Sequence, residues 1–168
     1  GENNGIIRNN GNYGFTIDNN STGVNNGEIS NNGNFGMFVT NGASAENYGT
    51  IKNSGVTGVF VTGANSKFIN QSTGIIQNNV FYGIEASNGA YAENNGIIKN
   101  NETNGMVSAG VDSQIVNNYS GTIENLGNYG MKGSTYSMIT NNGKITNKGD
   151  YGIFINTGST AENNGSIE

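Results

Sequence analysis

The sequence has no Cys, Pro, Trp or His in 168 residues. Lack of Cys removes disulfides and thiol nucleophiles, and lack of both Cys and His removes the usual zinc sites. Without His there is no Ser-His-Asp triad. Charge is scarce at 11% of residues, against about 25% in ordinary domains. Seven Lys and Arg against twelve Asp and Glu leave a net charge of −5, which opposes nucleic-acid binding through a basic patch. Hydrophobic residues reach only 33%, and no run of ~18 apolar residues offers a membrane-spanning helix. There is no signal peptide and the chain opens on Gly1, so it reads as an excised piece.

What fills the sequence instead is Asn and Gly, 35 and 28 residues, more than a third of the chain. That composition by itself suggests disorder. A regular period contradicts it. Ile recurs at Ile7, Ile29, Ile51, Ile76, Ile98, Ile123, Ile145 and Ile167, with steps of 22, 22, 25, 22, 25, 22 and 22 residues. Two residues after each of the first seven comes Asn9, Asn31, Asn53, Asn78, Asn100, Asn125 or Asn147. An earlier column reads Asn3, Asn25, Asn47, Asn70, Asn94, Asn117, Asn141 and Asn163. A third is the Gly of Tyr13-Gly14, Phe35-Gly36, Thr57-Gly58, Tyr82-Gly83, Asn104-Gly105, Tyr129-Gly130 and Tyr151-Gly152. Both 25-residue steps contain an insertion before the Ile, in Gln71–Gly74 and Asn118–Gly121.

Apolar residues alternate within each unit, as in Ala45-x-Asn47, Ile51-x-Asn53 and Val59-x-Val61. Alternation with period two over pieces this short predicts strands separated by Asn/Gly turns. Three short strands per 22–25 residues predict an all-β fold, a single-stranded parallel β-helix of about seven and a half coils. A right-handed winding is expected from the usual hand of β crossovers. Stacked coils turn each column into a ladder of like residues ~4.8 Å apart. A buried Asn has a donor and an acceptor for the Asn above and below it, so both Asn columns are predicted ladders. Residues 1–168 begin and end in the same phase without a polar cap, so a slice of a longer repeat array is expected.

The pattern Ala-Glu-Asn-x-Gly-x-Ile-x-Asn-x-Gly-x-x-Gly-Val-x-Val, clearest over Ala45–Val61, Ala92–Met106 and Ile139–Ile155, resembles type V autotransporter passenger domains. Its Asn richness resembles the very large adhesins of fusobacteria-like anaerobes. The resemblance implies a secreted protein on the bacterial cell surface, involved in adhesion and virulence. Its partner would be a host or bacterial surface glycan or protein, still unidentified.

Little in the sequence points to chemistry. Glycoside hydrolysis needs a carboxylate pair ~5–9.5 Å apart. In the outward column, however, Glu46 is followed one coil on by Ile69, and Glu93 by Val116. No cofactor and no metal site are expected, and the chain reads as non-enzymatic. The outward column of the third strand runs Thr16, Phe38, Phe60, Glu85, Val107, Lys132, Phe154. Phe38 and Phe60 are its candidate binding patch, since exposed aromatics anchor sugars or proteins. The Tyr/Phe column before the corner Gly is expected to pack rather than recognise. The expected function is the non-catalytic shaft of a cell-surface adhesin, without nucleic-acid binding or membrane insertion. The alternatives are a carbohydrate-active β-helix enzyme and a filament subunit, whose coils would stack head to tail on other copies.

Overall fold

The fold is described from a computed structural model. It covers every residue except Asn10, Asn32, Asn53 and Asn100, with the backbone alone at Asn9 and Asn31. The described residues form three parallel sheets of eight, eight and seven strands and contain no helix. Each coil contributes one strand to each sheet, as in Tyr91–Asn94, Ile97–Lys99 and Asn104–Ala109. This is a β-solenoid of about seven coils with three strands per coil.

Like residues lie on like residues. The second sheet aligns Ile7 with Ile29, Ile29 with Ile51, Ile51 with Ile76 and Ile76 with Ile98. It continues through Ile123 and Ile145 to Ile167. From Ile29 to Ile145 this column is sealed from solvent. A slip of one residue would turn the whole column outward, so the period fixes the register. The third sheet adds Met37, Val59, Ile84, Met106 and Met131 to the core. Each interior strand supplies only one or two apolar side chains, which is how a chain so poor in hydrophobic residues still closes a core.

Core volume is traded between faces. Gly23 leaves room for Ile17, whose Cγ1 would stand 2.3 Å from any Cβ built there. Gly133 likewise faces Ile139. Small opposite large keeps the tube's width constant, as close packing demands.

Glycine serves two distinct needs. The turns from third to first strand use left-handed backbone, with φ of 52° at Asn41 and 75° at Gly42, a region open to Gly and to short polar residues. The Gly column of the third sheet does not. At Gly105 an added Cβ would lie 2.6 Å from the Gly130 carbonyl oxygen and 2.4 Å from Ile123 Cγ2. Close approach between coils, not backbone freedom, requires Gly there.

Candidate functional site

The first Asn column lies at the corner between the first and second sheets. Its members from Asn25 to Asn141 are inaccessible to solvent. Each amide nitrogen donates to the Oδ1 of the next Asn, at 2.7–2.8 Å from Asn3 through to Asn163. From Asn25 onward the amide also donates to a Gly carbonyl at the corner, as from Asn47 to Gly49 at 3.1 Å, whereas Asn3 donates to the Glu28 carbonyl at 3.3 Å. In the coils with insertions the accepting Gly is four residues on instead of two: Gly74 for Asn70 and Gly121 for Asn117. The insertions therefore bulge outward while the Gly returns to its place. A Cβ on Gly74 would stand 2.4 Å from the Asn47 carbonyl oxygen.

The second Asn column differs from the sequence expectation. The Asn9 and Asn31 side chains, and all of Asn53 and Asn100, lie outside the described residues. Asn78 is not in a ladder: it is exposed, with φ of 57°. The strand Ile75–Gln77 ends before it, and the left-handed turn carries the next residue inward. Asn79 thus takes the buried place, accepting from the Ser54 backbone N–H at 3.0 Å and donating to Asn101 Oδ1 at 2.9 Å. The doublet Asn78-Asn79 was the available signal, and only the corner conformation decides between its members. Two coils later the buried place returns to the earlier position, where Asn125 donates to Asn147 Oδ1 at 3.3 Å. The hand-over leaves Asn101 Nδ2 and Asn125 Oδ1 buried without a protein partner. Beside it is a cleft of about 150 Å³, lined by Glu124, Asn125, Leu126, Thr146 and Lys148, smaller than the usual ligand pocket of ~300–1,000 Å³.

On the outer face of the third sheet, Phe38 and Phe60 are register neighbours with ring centroids 5.6 Å apart. The corner column joins them. Tyr13 stacks on Phe38 at 4.9 Å and Phe35 on Phe60 at 5.1 Å. The two columns, expected to behave differently, form one ring stack along the solenoid axis. Within the stack the rings cover one another's faces, which weakens the case for a sugar platform, since a sugar ring needs an open aromatic face. Phe60 ends the stack, with both of its ring partners, Phe35 and Phe38, in the coil below. A second stack joins Tyr129, Tyr151 and Phe154, with Lys132 Nζ 5.7 Å from the Tyr129 ring.

Between the stacks lies Glu85, a half-buried carboxyl with Phe60 on one side and Val107 on the other. Burial holds it above the usual carboxylate range. Burial, with the Glu85 charge as a lesser cause, also raises the Tyr82 hydroxyl.

The outward acids of the first sheet are tied into the surface. Glu93 accepts from Tyr91 OH, Asn95 and Asn118, each at 2.7 Å. Glu46 accepts from Tyr48 OH at 2.8 Å and Gln71 at 3.2 Å. Gln71 and Asn118 open the two insertions, so each insertion pins a carboxylate of the coil below. Burial first and the Glu93 hydrogen bond second push the Tyr91 hydroxyl up. Among the described residues no three Asp or Glu side chains converge as a metal site would require. In comparisons with family models, curated proteins and solved structures, nothing matches the chain.

Proposed function

We propose that this chain is a shaft segment of a bacterial cell-surface adhesin of the autotransporter passenger type, non-catalytic and extracellular. It acts mechanically, as a stiff spacer that carries a binding element away from the cell. The observation that supports this reading best is the continuous hydrogen-bonded Asn column from Asn3 to Asn163. Such a column, flanked by sheets whose strands pair from coil to coil, resists bending and shear along its whole length. The pinning of Glu46 and Glu93 into surface networks supports a structural role over acid–base work. Surface labelling tests the proposal. An antibody raised against this segment should stain intact source cells, and protease treatment of whole cells should remove the signal. Staining only after permeabilisation would sink the surface assignment.

A further inference from the structure

Packing alone does not account for the placement of Glu85. It stands in an outward column whose neighbours in adjacent coils are Phe60 and Val107. The aromatic stack climbing from Tyr13 and Phe35 through Phe38 reaches Phe60 and goes no further. Glu85 occupies the next place, where another ring would have continued the stack. Tyr82 is three residues back on the same strand and couples to it electrostatically. Beyond Tyr82, Phe81 and Val80 are exposed, and the Phe81 ring leans against Tyr82 at 6.1 Å.

Several other acids of the surface have partners, and the acids that have none, such as Glu124, are exposed rather than half-buried. Glu28 and Glu168 pair with Lys52 and Lys144 at 2.8 Å, and Glu46 and Glu93 hold hydrogen bonds. The Glu85 carboxylate meets neither a donor nor a cation among the described residues. Lys132, two strands along the same column, is turned onto Tyr129. A half-buried carboxylate bordered by aromatic rings is the arrangement that binds a protonated amine or guanidinium. The charge neutralises the acid while the rings attract it through their negative faces. The overall charge of −5 would draw such a group in from a distance.

We propose that Glu85, with Phe60 beneath it and Tyr82 beside it, is a docking point for a Lys or Arg side chain of a protein partner. This goes beyond the shaft reading and does not depend on it. The third sheet would supply an apolar floor and a single negative anchor, and the partner would supply the missing cation.

The test uses the whole chain and terminally blocked Gly-Lys-Gly and Gly-Arg-Gly peptides, with Gly-Gln-Gly as the neutral control, followed by backbone NMR shifts. Saturable shifts are expected in Thr57–Thr62, Tyr82–Ser87 and Asn104–Ala109 with the two cationic peptides and not with the neutral one. Glu85→Gln should weaken binding at least tenfold and Phe60→Leu several-fold, whereas Glu124→Gln, at an exposed acid, should leave it unchanged. Shifts spread over all acidic faces, or equal losses in Glu85→Gln and Glu124→Gln, would overturn the proposal. So would self-association abolished by Glu85→Gln, because the occupant would then be a second copy of this chain.

Discussion

A buried Asn in this fold is worth what its neighbours lose without it. Asn94 accepts from Asn70 at 2.8 Å and donates to Asn117 at 2.8 Å and to the Gly96 carbonyl at 3.2 Å. Asn94→Leu strands those three groups, each at roughly 1–3 kcal/mol. A loss on the order of 3 kcal/mol is expected in chemical denaturation. Asn26 also bonds the coil below, to Asn4 at 2.8 Å, but in solvent, and Asn26→Leu should change stability by less than about 0.5 kcal/mol. Equal losses would refute the ladder's role. Glu85 works in the opposite direction. Its folded-state pKa is raised by burial above the ordinary value of 4.5, so the folded state disfavours its ionised form. That penalty is absent below the ordinary value and fully present above the raised one. Glu85→Gln should therefore stabilise the protein at pH 7, with the gain disappearing as the pH falls to 4. A pH series of thermal melts on both proteins checks the sign. A residue that weakens its own fold fits a binding role better than a packing role.

At the scale of strands and corners, two features set local stability. The Gly column of the third sheet admits no side chain. Gly105→Ala drives a Cβ into Ile123 and the Gly130 carbonyl, and a loss of about 3 kcal/mol is expected from overpacking. Gly5, with nothing within 4 Å of its would-be Cβ, should tolerate Ala, with unchanged or slightly raised stability. Denaturation midpoints for the two variants make the comparison. The other feature is the hand-over of the second ladder, where Asn101 Nδ2 and Asn125 Oδ1 have no protein partner. The first ladder is unbroken beside it, from Asn94 through Asn117 to Asn141. Amides of Ile97–Lys99 and Thr122–Asn125 should accordingly exchange with solvent faster than those of Tyr91–Asn94 and Gln114–Asn117 in the same coils. Uniform protection would show that the hand-over has no energetic weight.

Over the whole molecule the solenoid is close to one-dimensional: each coil touches the coil above and the coil below. Removal of one full period should then leave a folded, shorter rod. Deleting residues 29–50 brings Ile51 to the place of Ile29, one 22-residue step of the Ile column. The variant should keep a cooperative unfolding transition and lose ~4.8 Å of length in solution scattering. Deleting 11 residues instead breaks the phase between columns and should abolish the fold, because strands out of register turn their apolar side chains to water.

Much of this architecture was legible from the order of residues. The Ile column, the first Asn column and the alternation Val59-x-Val61 each reappear as register neighbours. Stacking like on like makes the period and the contact the same thing. The insertions Gln71–Gly74 and Asn118–Gly121 were legible as breaks in spacing, though not as the groups that pin Glu46 and Glu93. Those donors reach across coils, and a spacing does not specify the reach of a side chain. The second Asn column was only half legible. Asn78 and Asn79 are equivalent by composition, and the left-handed turn at Asn78 sends Asn79 inward. By itself, then, the sequence determined the coil, its register and the buried Ile and first Asn columns, since these follow from periodicity. Only the tertiary structure decided which Asn of a doublet is buried, that two aromatic columns merge into one stack, and that Glu85 is left without a partner. Those outcomes depend on corner backbone angles and on distances between side chains of different coils.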